Sequence, residues 1–413
     1  MNCIKVVLLG IFLFILLHNQ IYTQKCKDML VFDGSEDVVH FGIDTTGNWW
    51  ILTQPYKDEY RLIISGERTE SFKEIKSLTF SQDGSRWAFF GKTATNWVFV
   101  TSDTAIPLFA EDILQLGFSN NSENYFLAYK NGTETTIEYD GKKLSVTNFN
   151  GKVYLNFDGT KIAFVLSYGK MFSLIIPNLF ESDKFDELVP LGFWYDNEFI
   201  YAGRKGSFWQ IFKNNYALTE EFQQLIDMKI NYKGTNAVFV IKRNNYDVVA
   251  VVYSEKYFEP IFSKSYDNIS NVKLHPNEPL AVFLATKEIN KYIVYGNVEY
   301  HLGNFATEPF FTFDGSEIYY CLCNIDCYFF VDGKRYTLPG GIACESQIAR
   351  KPNSSTIAFS SYTSLIMLDY FLNIQYSGMI VDKITPPIYN HRTKRYEALG
   401  EINNKIYLLT CEP

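Results

Sequence analysis

Residues 78–90 read Leu-Thr-Phe-Ser-Gln-Asp-Gly-Ser-Arg-Trp-Ala-Phe-Phe. Residues 155–165 read Leu-Asn-Phe-Asp-Gly-Thr-Lys-Ile-Ala-Phe-Val, and residues 311–321 read Phe-Thr-Phe-Asp-Gly-Ser-Glu-Ile-Tyr-Tyr-Cys. In each, a short apolar strand enters a tight turn and returns as a second apolar strand. Asp-Gly favours such hairpins because Gly tolerates the positive φ that the turn imposes.

Weaker copies occupy the gaps. With the turn residue as marker, the series is Gly47, Gly84, Ser122, Gly159, Asp196, Gly234, Asn277, Gly315, Asn353 and Lys394, spaced by 37, 38, 37, 37, 38, 43, 38, 38 and 41 residues. Around Gly315 the unit resolves into strands a (Pro309–Phe313), b (Glu317–Cys323), c (Cys327–Val331) and d (Arg335–Leu338). The turn Asp332-Gly333-Lys334 lies between c and d. Four antiparallel strands in a repeat of about 40 residues predict the blades of a β-propeller. The expectation is an all-β chain of about ten four-stranded blades, with eight or nine blades, or two rings of five, as alternatives. The innermost strands are expected at Ser77–Ser81, Gln115–Ser119, Val153–Phe157 and Pro190–Trp194. Only Ala217–Met228 carries a faint helical spacing.

The run Phe-Ser-Gln-Asp-Gly at 80–84, followed by Ala88-Phe89, together with the later Asp332-Gly333-Lys334 turn, resembles the TolB-like (WD-like) propeller repeats. The resemblance spans roughly residues 30–413 and implies architecture rather than a ligand. Gln82 stands where that family usually has Pro.

The N-terminus differs in character. Lys5 precedes an unbroken apolar run from Val6 to Leu17, too short to cross a bilayer and suited to the core of a secretory leader. The expected division is a signal peptide at 1–24 and a propeller at 25–413, placing the mature chain outside the cell, in a periplasm or on a cell surface, with no transmembrane span. Without Lys5 the chain carries 37 basic and 46 acidic residues, a net charge of −9, which speaks against general nucleic-acid binding.

Beyond the leader lie Cys26, Cys321, Cys323, Cys327, Cys344 and Cys411. An even number in an exported chain predicts disulfides rather than a thiolate metal site. The last repeat has a strand b at Arg395–Glu401 and a strand c at Lys405–Thr410 but no strand d, while Met29–Phe32 precedes the first strand a. The N-terminal segment can therefore supply the missing strand, which sets Cys26 beside Cys411. Cys323–Cys327 across a hairpin and Cys321–Cys344 to a loop are expected, with the swapped pairing open.

Histidines 40, 275, 301 and 391 form no His-x-x-x-His pair, and no nucleophile elbow or phosphate-cradling loop is present. No cofactor or metal is expected. His275, in Leu-His-Pro-Asn, reads as a turn residue. Because strand direction alternates, b–c turns and d–a connections leave a blade at one end. These loops carry Lys57, Lys92, Lys130, Lys170, Arg204, Lys205, Lys242, Arg243, Lys287, Lys291 and Lys405. The expectation is a binding or scaffold propeller that recognises a protein or anionic glycan through this face. Lys92, Lys130, Arg204 and Arg243 are expected to be exposed, and the opposite a–b turns to have little side-chain reach. The alternative is a carbohydrate-active lyase or hydrolase with a site in the central channel.

Overall fold

The computed structural model describes residues 26–413 except 245–246, 258, 303–308, 312–317, 324–326, 332–333, 338–347, 352–355, 361–362, 369–373 and 377–378. The described residues form ten antiparallel sheets, one per marker, with strands paired in chain order. Nine have four strands. The tenth has a fifth only because its strand a comes in two pieces, Lys383–Ile384 and Ile388–Asn390, both on Arg395–Ile402. The fold is a multi-blade β-propeller.

The chain divides into two compact units. The larger comprises Leu52–Ile63 and Glu67–Gly340; the smaller comprises the described part of Met1–Ile51, with Ile64–Gly66 and Gly341–Pro413.

In the larger unit the a strands of blades 2 to 7 are successive neighbours: Glu74–Phe80, Asp112–Phe118, Phe149–Leu155, Glu187–Phe193, Gln224–Ile230 and Asn268–Leu274. Apolar layers lie between consecutive blades. One joins Ala88, Phe90 and Phe99 of blade 2 to Ile113, Leu116 and Leu127 of blade 3; another joins Ile200, Ala202 and Ile211 of blade 5 to Phe239, Ile241 and Val251 of blade 6. Fully burying one such side chain contributes about 1.5–3 kcal/mol.

Each of these a strands contains a β-bulge, and this moves its start. Pairing shifts between Lys76 and Thr79, Ile113 and Gln115, Asn150 and Tyr154, and Pro190 and Gly192. The strands begin at Glu74, Asp112, Phe149 and Glu187, three to four residues before the apolar runs read from sequence. A bulge breaks the two-residue alternation, so the first half of each strand does not look like a strand. Ala217–Met228 is not helical. It comprises the end of strand d, Tyr216–Ala217, a connection, and the start of Gln224–Ile230.

Most of the described turn markers hold, Gly47 and Lys394 with φ of 92 and 61°, but Asn277 in blade 7 does not take a positive φ. Gly84, Ser122, Gly159 and Gly234 have φ of 66, 65, 78 and 69°, but in blade 5 the positive-φ residue is Asn197 (66°), one after Asp196. Gly315 and Asn353 lie outside the described residues.

In the smaller unit, Cys26–Phe32 pairs antiparallel with Lys405–Cys411 and supplies the outermost strand of blade 10. Cys26 and Cys411 are register partners joined by a disulfide. In blade 8, Cys323 and Cys327 are register partners on strands Ile318–Cys323 and Cys327–Val331. The expected pairings of Cys321, Cys323, Cys327 and Cys344 involve thiols outside the described residues, as does the leader at 1–24.

Candidate functional site

The basic residues of the b–c end occupy two kinds of position. Lys92, Lys130, Arg204 and Lys242 lie near the end of strand b, each opposite the first residue of strand a: Glu74, Asp112, Glu187 and Gln224. The residue just before each strand a donates its backbone N–H to the carbonyl of that basic residue, at 2.7 Å for Lys92, 2.9 Å for Lys130 and Arg204, and 3.0 Å for Lys242. This column is a structural junction between d–a connection and blade.

Arg204 of this column pairs with Glu187 at 3.1 Å, and beside the column Lys205 pairs with Asp183 at 2.8 Å and Arg243 with Asp247 at 2.7 Å. Lys76 reaches Asp112 at 3.2 Å, and its hydrogen bond, with a smaller contribution from the charge of Lys130, holds the Asp112 carboxyl below its ordinary range. Lys92 and Arg204 are half-buried. The Lys92 ammonium sits 5.2 Å from the centre of the Trp97 ring, with Lys76 at 5.1 Å. Such contacts contribute roughly 0.5–2 kcal/mol.

The second kind lies in the b–c turns themselves. Lys57, Lys170, Lys205, Lys287 and Lys291 are exposed there, as is Lys130 at its strand end. Large apolar side chains share these turns: Tyr56 beside Lys57, Tyr168 near Lys170, Phe208 near Lys205, and Ile289, 93% exposed, between Lys287 and Lys291. Phe109, 83% exposed, lies in the d–a connection between blades 2 and 3. The sequence reading found the cations but not these neighbours.

A further row was missed because it lies in segments that read as polar loops. Phe72, Phe185, Phe222 and Tyr266 precede strand a and form single bridges to strand c of the preceding blade. Phe72 and Phe185 also cover Gly91 and Gly203 in strand b of the next blade. The row serves blades 2, 5, 6 and 7, at the same end as the basic turns.

At the other end, the last residue of each a–b approach caps its own turn. Ser81 Oγ accepts from Arg86 N (2.9 Å), Ser119 Oγ from Asn124 N (3.0 Å), Asn156 Oδ1 from Lys161 N (2.9 Å) and Asn231 Oδ1 from Thr235 N (2.8 Å). His275 belongs to this series: its Nδ1 accepts from Glu278 N at 2.7 Å and from Asn277 N at 3.0 Å. All five caps are buried, and buried polar groups are retained where they are hydrogen-bonded.

An enzymatic reading looks to the inner strands. Exposed residues in the a strands of blades 2 to 7 are Ser77, Asp112, Leu114, Asn150, Gly151, Lys152, Glu187, Gln224, Ile226, Lys229 and Asn268. The charged ones are paired, Asp112 with Lys76 at 3.2 Å, Glu187 with Arg204 at 3.1 Å and Lys229 with Asp227 at 3.0 Å, apart from Lys152. Among the described residues no group of three His, Cys, Asp or Glu side chains is placed to hold a metal. No helix among them is long and apolar enough to cross a membrane.

No family model matches the chain, and no curated protein matches its sequence. Solved structures similar to it include a eukaryotic initiation factor, at 11% identity over 74% of this chain and 88% of that one, with a TM-score of 0.47. The Dos1 propeller follows at 10% identity, 82% and 92% coverage and a TM-score of 0.40. TolB from Acinetobacter baumannii is similar at 12% identity, 62% and 75% coverage and a TM-score of 0.29. The fold assignment rests on the sheet topology above.

Proposed function

We propose that this chain is an exported binding propeller that docks a protein or anionic-glycan partner on the end formed by its b–c turns and d–a connections. The observation that carries this reading is the repeated pairing of an exposed large apolar side chain with exposed lysine in four b–c turns: Tyr56 with Lys57, Tyr168 with Lys170, Phe208 with Lys205, and Ile289 with Lys287 and Lys291. Protein interfaces bury aromatic and aliphatic anchors inside a polar rim, and lysines there steer an anionic partner. Export is supported by the Cys26–Cys411 bond, which suits an oxidising compartment.

Two sets of substitutions test the proposal. Lys57→Glu, Lys170→Glu, Lys287→Glu and Lys291→Glu together change charge at residues that form no salt bridge among the described residues, although the Lys287 charge also acts on Glu299. Tyr56→Ser, Phe208→Ser and Ile289→Ser remove the apolar anchors. Partners captured from the native host by wild type are identified by mass spectrometry and measured against both variants across a salt series. The charge variant is expected to bind more weakly at low salt and to lose salt sensitivity. The apolar variant is expected to lose affinity at every salt concentration. Equal capture by all three folded proteins would defeat the reading.

A further inference from the structure

The a–b turns of blades 3, 4, 5 and 6 form a closed circuit. Asn121 N donates to Phe157 O at 3.1 Å, and Tyr195 N to Gly234 O at 2.9 Å. Asn156 Nδ2 donates to Asn197 Oδ1 at 2.7 Å. Asn120 Nδ2 donates to Tyr232 O, which joins the fourth turn back to the first. Each turn is therefore fixed by its neighbours as well as by its own cap.

Three of these turns carry an aromatic ring at the same place, one residue after Asn156, Trp194 and Asn231: Phe157, Tyr195 and Tyr232, exposed by 49, 52 and 47%. Asn156 and Asn231 are caps, and in blade 5 Asp196 caps the turn instead, accepting from Glu198 N at 3.1 Å. Blades 1, 2, 3 and 7 have Thr45, Gln82, Asn120 and Pro276 there, and the sequence of blade 8 has Phe313. Turn geometry does not require an aromatic at this position, where Pro and small polar residues serve. Three half-exposed rings on successive blades, on backbone held by hydrogen bonds, thus have no structural role that the turns explain.

The surroundings define what they would bind. Lys213 is occupied by Asp196 at 2.7 Å and Glu198 at 2.6 Å. Lys233 lies 5.4 Å from the centre of the Tyr232 ring and donates to Asn277 Oδ1 at 3.1 Å. The Tyr195 ring is backed by Trp194, with ring centres 6.2 Å apart. Charges beside the rings are engaged internally, which leaves ring faces, tyrosine hydroxyls and amides as the recognition groups. Sugar rings match this chemistry: their C–H faces stack on aromatic faces, and their hydroxyls bond phenols and amides. A β-strand peptide would need an open sheet edge, and these groups stand on turns. The rings stand on three turns rather than one, so a ligand that meets all of them is a chain of sugars rather than one monosaccharide.

We infer that the turn circuit of blades 3–6 is a binding site for a neutral glycan chain, whose sugar rings stack on Phe157, Tyr195 and Tyr232. It lies at the opposite end of the blades from the basic turns and does not depend on the reading of that end.

The test is native affinity electrophoresis of the full chain in gels containing laminarin, galactomannan or xyloglucan, with titration of a poly-L-proline peptide alongside. The variants are Phe157→Ala/Tyr195→Ala/Tyr232→Ala and Tyr195→Phe/Tyr232→Phe. Wild type is expected to be retarded by at least one of the three glycans, the triple variant to run as in a gel without glycan, and the double variant to keep most of the retardation. Single alanine variants, which also serve if the triple variant does not fold, are expected to bind roughly two- to tenfold more weakly. Three results would overturn the assignment: no retardation of wild type by any glycan, retardation unchanged by loss of the rings, or ring-dependent binding of polyproline with none of glycan.

Discussion

Phe185 and Gly203 are matched across a blade boundary. A Cβ at position 203 would lie 2.4 Å from the Phe185 ring, which precedes strand a of blade 5 and caps the glycine in strand b. The ring also contacts Phe212 and Tyr201, with ring centres 5.4 and 6.0 Å away. Gly203→Ala is therefore expected to destabilise the fold by about 1–3 kcal/mol, the usual cost of overpacking. Phe185→Leu in the same chain should recover part of the loss. Urea midpoints of the single and double variants measure both effects.

Gln115 does the work of a strand neighbour. Its side chain donates to Val153 O at 3.0 Å and accepts from Val153 N at 2.8 Å. Val153 lies in the bulge of blade 4, where it has no partner in the pairing with strand b. Gln115→Leu removes both bonds from a buried residue and is expected to cost about 1–3 kcal/mol. Gln115→Glu keeps only the accepting half and should fall between, as read from thermal melts.

Asp83 ties the best copy of the repeat turn. Its Oδ1 accepts from Ser85 N at 3.0 Å and from the hydroxyls of Ser81 at 2.7 Å and Ser85 at 2.8 Å. The backbone bond from Ser85, with those of the serine hydroxyls, holds the carboxyl well below its ordinary range. A carboxyl depressed in the folded state adds stability above its unfolded pKa, about 3.9, and loses it as pH falls toward the folded value. Asp83→Asn should therefore melt lower than wild type at pH 7, and the gap should narrow below about pH 4. A gap that stays constant down to pH 2 would show that the carboxylate charge is not involved.

The bond between Cys26 and Cys411 closes a sequence separation of 385 residues. Replacing both cysteines with serine is expected to cost about 2–5 kcal/mol. The strand pairing from Lys27↔Thr410 to Leu30↔Tyr407 should persist. Hydrogen exchange of Lys27–Leu30 in the double variant checks this: protection should weaken without vanishing while the rest of blade 10 stays folded.

The repeat was legible because its turns demand a backbone that few residues accept. Gly47, Gly84, Gly159 and Gly234 mark it in the sequence and have positive φ in the structure. Asp196 was off by one because Asn197 meets the same demand without a glycine. The pairing of the chain ends was legible too, since a missing strand and a spare strand leave one solution. The plug row was not legible. Its position accepts any large apolar residue, as Phe72 and Tyr266 show, and each one stands alone among polar neighbours. Phe157 was visible but read as the end of a strand. Only the turn geometry, with Gly159 three residues after the Asn156 cap, puts it on the exposed tip. The matching of Arg204 by Glu187 depended on strand register, which spacing alone did not provide, whereas Asp247 stands close enough to Arg243 in sequence to be expected to offset it.

Because the outer strand of blade 10 is Cys26–Phe32 and its partner is Lys405–Cys411, that blade joins residues whose synthesis is separated by all the other blades. Throughout synthesis the early segment has no partner to pair with, and an unpaired strand recruits other chains. Met29 and Leu30 face solvent even in the finished blade, so the segment is apolar on both counts. Lys405–Cys411 must leave the ribosome before Cys26–Phe32 can settle, so this blade closes only after the other nine sheets have been made. A chain that stalls short of Lys405 leaves Cys26 as an open thiol available to mispair.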